Sequence, residues 1–201
     1  MSTSFELFKK HIQIIHNNRY KVVSQISKPY SQVQIAFDDG FRGIYEHRQW
    51  LIDHNIYPTI FIPTSLIGHP DYLSINELKE LSLLGFRIQS HAVSHRNLCN
   101  FTNAELISEL VNSKKELEKI LDKDIDELCF PQGYFSDEVC QTAYTYGYKL
   151  LYSSIPGGYY DHKTLLRRNF TQASTSLQFK LILQGGLEIL YHRYLRLHNQ
   201  R

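Results

Sequence analysis

The amino-acid sequence predicts an α/β fold in which parallel strands alternate with covering helices, and two observations carry that prediction. Short apolar or β-branched runs recur along the chain, and most are followed by a stretch with apolar residues at helical spacing. Three of the runs lead directly into polar, Gly- or His-containing stretches: "DDG" at 38–40, "HAVSH" at 91–95 and "PQG" at 131–133. Parallel sheets bind ligands beyond the carboxyl ends of their strands, so these stretches are expected to meet at one end of one sheet. The number of units suits an incomplete or distorted barrel, or a doubly wound sheet.

Each element has its own signal. A helix is expected over 5–17 and a short strand at 21–24. "VQIAF" (33–37) reads as a strand, and Ile44, His47, Leu51 and Ile52 place a helix over 43–55. "TIFIPT" (59–64) is β-branched and gives the next strand. Ser74 and Glu77 form a capping-box pattern that opens a helix over 74–85, closed by Gly85. "FRIQS" (86–90) is a strand again. Thr102 and Glu105 repeat the capping pattern, and Leu106, Leu110, Leu117 and Leu121 share one side of a helix over 102–123. "DELCF" (126–130) and "YKLLYSS" (148–154) are strands around a helix at 136–147, which Ser136 opens and Gly147 closes. From 176 onward the pattern is apolar and helical with a break at Gly185-Gly186, so 1–201 reads as a single domain in which 176–201 is a C-terminal helical extension.

Composition narrows the function classes. A chain of 201 residues that is 42% hydrophobic can bury one substantial core. A net charge of +2 without a strong basic cluster argues against a nucleic-acid partner. Cys99, Cys129 and Cys140 form no C-x-x-C pair, and an odd count argues against a disulfide framework and for a reducing compartment. The N-terminus does not read as a secretory signal, and no run approaches the roughly 18 apolar residues of a membrane span, so a cytoplasmic protein is expected. Leu187, Leu190, Tyr194 and Leu197 form an apolar stripe beside Arg193, Arg196 and Arg201. It could cover the barrel, make a homo-oligomer contact or lie on an anionic membrane surface.

The chemistry concentrates in the three strand-end stretches. Adjacent carboxylates raise the cost of ionising each other, and Asp-Gly is a common turn, yet Asp38 and Asp39 abut an apolar strand. If one binds a cation, the cation offsets the repulsion and leaves the other as a general base. His91 and His95 stand four apart, and two imidazoles with one carboxylate suit zinc or another first-row divalent metal. With ten histidines in the chain such a pair arises readily by chance, so its weight comes from convergence with the other stretches.

"AFDDG" (36–40), "SHAVSH" (90–95) and "CFPQG" (129–133), in this order, resemble the first three motifs of the NodB-homology polysaccharide deacetylases, carbohydrate esterase family four. The likeness covers roughly 5–170 and includes "YPTIFIPTSLIG" (57–68). It implies a distorted or incomplete (β/α) barrel of about seven parallel strands, short of the eight of a closed barrel. It also implies metal-dependent removal of acetyl groups from sugars. By that resemblance Asp38 is the general base, and Asp39, His91 and His95 hold a divalent metal, zinc foremost with cobalt, nickel or iron as alternatives. Pro131, Gln132, Gly133 and Tyr134 match the oxyanion and substrate segment, with the Gln132 N–H facing the oxyanion. Cys129 stands where many members carry an arginine that orients the base, and Arg168 in "LLRRNF" (165–170) is the candidate replacement. The family's Asp-x-x-Asp-Trp motif is absent, and the lone Trp50 reads as core. "LRLH" (195–198) spells the family's late Leu-x-His, but a terminal helix is a poor place to build a site, so the general acid stays unassigned, with loop residue His162 as another candidate. Cys129 reads as a packed thiol. The expected substrate is an N-acetylated sugar or glycoconjugate precursor. Alternatives are deformylation or other small-amide hydrolysis on the same site, or a catalytically impaired carbohydrate-binding barrel.

Overall fold

The structure, a computed structural model, describes residues 3–159 and 165–200. Six parallel strands form the main sheet in simple chain order: β3 (Ala36–Phe37), β4 (Thr59–Ile62), β5 (Arg87–Ser90), β6 (Glu127–Cys129), β7 (Leu150–Tyr152) and β8 (Leu165–Leu166). An order without reversal belongs to a barrel and not to a doubly wound sheet, so the fold is a distorted, incomplete (β/α) barrel with β3 and β8 as its two edges. The run at 33–37 divides. β2 (Gln32–Gln34) pairs with β1 (Lys21–Val23) in a separate parallel ribbon, and only Ala36 and Phe37 join the main sheet. β8 is a strand that periodicity could not announce, because two residues carry no period.

The central strands β4, β5 and β6 are short and almost wholly buried on both faces, which is why they read as continuous runs. Ile60, Ile62, Ile88, Leu128 and Leu151 point into the large core beneath the helices, all at 4% exposure or less. Alternate residues Phe61, Cys129, Tyr152 and Leu166 form a second, smaller cluster on the opposite face, inside the barrel. The interior also holds charge: Glu127 pairs with Arg87, accepts a hydrogen bond from the Tyr152 hydroxyl (2.9 Å), and donates its backbone N–H to Gln89 (3.0 Å).

The helices follow their capping signals. α1 (Phe5–Asn17) precedes the ribbon, and the segment 43–55 forms α2 (Gly43–Glu46) and α3 (Arg48–Asp53), interrupted at His47. Complete capping boxes open α4 (Ile75–Leu83) at Ser74 and α5 (Asn103–Leu121) at Thr102. Ser136 caps α6 (Asp137–Thr145). Trp50 packs against the core beside Phe5 and Phe8. Among the described residues, no helix is long and apolar enough to cross a membrane.

The C-terminal extension makes two returns to the barrel. α7 (Ser176–Leu183) buries Phe179 and Ile182 and packs on α1, where His11 stacks on Phe179 at 4.0 Å and donates from Nε2 to the Ser174 carbonyl (2.8 Å). After the break at Gly185-Gly186, α8 (Tyr191–His198) buries no residue, but its end docks by backbone pairing. The Phe135 N–H donates to the His198 carbonyl (2.9 Å) and the Gln200 N–H donates to the Phe135 carbonyl (2.8 Å).

Burial lowers the His11 pKa, so the folded state prefers the neutral ring. A lowered folded value gives stability that is fully present above the ordinary histidine value of about 6.5 and is lost as pH falls below it. The protection of the α7 amides, measured relative to intrinsic exchange at each pH, is therefore expected to fall as pH drops from about 8 to about 5. That extra pH dependence should vanish in His11→Gln, which keeps a donor and does not titrate.

Candidate active site

Asp38 is the first residue beyond β3, and the chain turns sharply after it. Asp39 and Gly40 both adopt φ of +70°. A Cβ on Gly40 would lie 2.7 Å from Ile62 Cδ1 at the end of β4 and would sit on a left-handed backbone, so glycine suits the turn on both counts. Aspartate tolerates the left-handed region better than most residues, which lets Asp39 swing its carboxylate away from that of Asp38.

His91 is the first residue beyond β5 and is 2% exposed. Its Nδ1 donates to the Cys129 carbonyl (2.6 Å), which fixes the tautomer and leaves Nε2 with its lone pair. Burial lowers its pKa and keeps the ring neutral. The loop to His95 bends through Ala92 (φ +60°) and His95 itself (φ +56°). Side chains from α5 and beyond hold that bend. Glu109 accepts the N–H groups of Val93 (3.0 Å) and Ser94 (2.9 Å), and Ser90, buried against Ser113 and the Tyr148 hydroxyl, accepts that of Ala92 (3.1 Å).

Asp39 Oδ1 lies 3.6 Å from His91 Nε2 and 3.0 Å from His95 Nε2, and the three atoms lie within 4.8 Å of one another. Oδ1 is buried, yet it forms no aligned hydrogen bond among the described residues. One orphaned carboxylate oxygen facing two imidazole nitrogens is a donor set that fits a divalent cation such as zinc. A second trio, Asp38, His91 and Cys129, is equally close. It fits a cation poorly, because the Arg168 guanidinium stands 2.8 Å from Cys129 Sγ and occupies both Asp38 oxygens.

Arg168, just past β8, is the partner of Asp38. Its Nη1 and Nη2 donate to Oδ1 (2.8 Å) and Oδ2 (2.9 Å), and its Nε donates to the Ser153 carbonyl (3.2 Å). Burial alone would raise the Asp38 pKa; the Arg168 charge and its paired hydrogen bonds outweigh burial and hold it at about 2. The Cys129 thiol is pushed well up by burial, which leaves it a packed, protonated group.

The third strand end supplies a 3₁₀ turn at Pro131–Gly133. Gln132 (φ +59°) and Gly133 (φ +77°) reverse the backbone, and a Cβ on Gly133 would lie 2.7 Å from Ser154 Cβ. Tyr134 follows, its ring 5.2 Å from that of His198. The pairing of the tail with Phe135 thus carries His198 to this turn. His198 Nδ1 is buried without a hydrogen-bond partner among the described residues, and burial lowers the pKa of the ring. His162 lies outside the described residues. Sequence reasoning also passed over Glu109. Its signal was there: a carboxylate on the border of the α5 apolar stripe, between Leu106 and Leu110.

Most of the chain is similar to known proteins. YxkH of Bacillus subtilis (strain 168) is 27% identical over 161 residues, covering 75% of this chain; the chain spans 58% of the length of that curated relative. The fold matches the Streptococcus pyogenes deacetylase PplD in complex with acetate, at a TM-score of 0.79 and 22% identity over 90% of this chain and 85% of the other. It matches a polysaccharide deacetylase from Bacillus cereus equally well, at a TM-score of 0.79 and 24% identity over 90% and 62% of the two chains. The family model described as polysaccharide deacetylase matches residues 26–151, a span that contains Asp38, Asp39, His91, His95 and the 131–133 turn, and the chain belongs to that family.

Proposed function

We propose that this protein removes the acetyl group from an N-acetylated sugar of a polysaccharide or glycoconjugate, with a divalent cation, zinc foremost, held by Asp39, His91 and His95. One observation carries the reading: a carboxylate kept ionised by Arg168 stands next in sequence to the orphaned Asp39 oxygen that faces two imidazoles. A cation held there supplies Lewis acidity toward the amide carbonyl oxygen. Asp38 takes a proton from the attacking water, whose oxygen forms a bond to the carbonyl carbon. The Gln132 N–H, turned by its left-handed backbone, donates to the oxyanion that develops. The C–N bond then breaks, and the nitrogen leaves as an amine with a proton from the imidazolium form of His198, the ring that the C-terminal tail brings to the turn, a form that its lowered pKa confines to the acid side of the rate profile. Acetate is the other product. Tyr134 flanks the substrate groove.

The test is acetate and free-amine release from N-acetylglucosamine oligosaccharides. Equal amounts of the two are expected, abolished by a chelator and restored by zinc or cobalt. Release of formate from N-formylated sugars with none of acetate would move the protein to the deformylases, and no release from either by metal-loaded protein would sink the hydrolase reading.

A further inference from the structure

We propose that the outer face of the C-terminal segment, residues 177–197, docks on an anionic lipid bilayer and so holds the mouth of the site beside a membrane. Its bearing on catalysis rests on the functional reading above; the docking itself does not.

Exposed apolar area and positive charge concentrate in this part of the chain. Among the described residues eleven large hydrophobic side chains are exposed, and five of them are Phe170, Leu177, Leu181, Ile189 and Leu197. Lys and Arg nearly match Asp and Glu in the whole sequence, 22 against 20, yet residues 165–200 carry five of the former and a single carboxylate, Glu188. Arg168 is paired with Asp38. Lys180, Arg193 and Arg196 have no carboxylate partner among the described residues.

Both helices turn one side inward and leave the other uncovered. On α7, Phe179 and Ile182 are buried, while Leu177 (69% exposed) and Leu181 (52%) stand one turn apart on the outside. On α8 and the turn before it, Leu187, Leu190 and Tyr194 are half-buried, and Arg167 lies over the Tyr191 ring at 4.5 Å, so this side rests on the barrel. Ile189 (87% exposed), Arg193, Arg196 and Leu197 follow one another at helical spacing on the other side. Apolar tips set among cations suit a membrane interface: the aliphatic side chains enter the acyl boundary and the guanidiniums stay with the phosphates. A second copy of the chain fits worse. A two-fold contact through this face would set Arg193 and Arg196 against their own counterparts, with only Glu188 to offset them.

The segment is also placed to matter. It leaves the mouth of the barrel at Arg168, beside Asp38, and returns at His198, beside Tyr134. The eight residues of α8 span about 12 Å at 1.5 Å per residue, so its uncovered side begins within that distance of the 131–133 turn. A bilayer against that side lies next to the reacting groups, and a sugar held at the membrane would reach them without leaving the interface.

The test is co-sedimentation of the whole protein with vesicles of phosphatidylcholine alone, or of phosphatidylcholine and phosphatidylglycerol in equal parts. Binding to the mixed vesicles is expected to exceed binding to the neutral ones by about tenfold or more, and to weaken as salt is raised. Arg193→Gln with Arg196→Gln should weaken it by roughly 10- to 30-fold, about fivefold for each cation. Leu181→Ser with Ile189→Ser should weaken it by about tenfold, at high salt as well as low. Both pairs are exposed, and an unchanged midpoint of unfolding confirms that the fold is kept; Ile189→Ser alone, at the most exposed position, serves if the pair unfolds. No binding, equal binding to both vesicles, or binding that neither pair weakens overturns the proposal. So does binding that salt abolishes and the serine pair leaves intact, which describes a general polyanion contact. Dimerisation by light scattering that the serine pair abolishes would assign the face to a second copy and overturn it too. Vesicle binding without acetate release from any sugar leaves the membrane face standing and removes the deacetylase reading; acetate release without vesicle binding does the reverse.

Discussion

Asp38→Asn is expected to leave a folded protein with undiminished divalent-metal uptake and acetate release slowed by about 10²- to 10⁴-fold, the range of a lost general base. Asparagine has nearly the volume of aspartate, and its carbonyl still accepts one of the two Arg168 bonds, so the geometry around β3 persists. What goes is the ability to hold a proton. Because Arg168 keeps the Asp38 pKa at about 2, the native carboxylate is already ionised throughout the neutral range. Metal content by mass spectrometry and initial rates of acetate release settle the matter together. A variant that keeps its metal and most of its rate would remove Asp38 from the reaction.

Arg168→Met should damage both stability and rate. It leaves a carboxylate at the barrel mouth without a counterion, which for a fully buried pair costs about 3–5 kcal/mol. Because the Asp38 side chain is 35% exposed, roughly 2–4 kcal/mol is expected, read as a fall in the midpoint of denaturant unfolding. The rate consequence has a distinct signature. Without the guanidinium, burial is opposed only by His91 and the Cys129 thiol and raises the Asp38 pKa, so the acid limb of the rate profile should shift to higher pH. Arg168→Lys should rescue the stability in part and the rate poorly, since an ammonium cannot bridge both Asp38 oxygens while also donating to Ser153. An unshifted acid limb in Arg168→Met would show that the pair is structural only.

Much of this was legible in the sequence because its information was local. Capping residues marked the helix starts at Ser74, Thr102 and Ser136, and apolar runs marked strands whose ends carry Asp38, Asp39, His91 and the 131–133 turn. Parallel topology then puts those ends together without further information. The illegible parts depend on distant pairing. Nothing near Arg168 says that its guanidinium meets a carboxylate 130 positions earlier, and β8 is two residues long. Nothing in "LRLH" says that the tail pairs with Phe135, since the pairing uses backbone groups that every residue has. The division of 33–37 between two sheets was hidden for a similar reason: one apolar run serves two sets of partners.

The order of the six strands gives the Asp38–Arg168 pair a further meaning. β3 and β8 are the free margins of the sheet, and no ladder joins them among the described residues. Asp38 leaves one margin and Arg168 leaves the other, so the ion pair clasps the gap where a closed cylinder would have had a seam of backbone bonds. A side-chain clasp is weaker than a ladder and opens in one step. Any breathing of the gap therefore parts Asp38 from Arg168 at the same moment, so the state of this one ion pair reports whether the gap is shut.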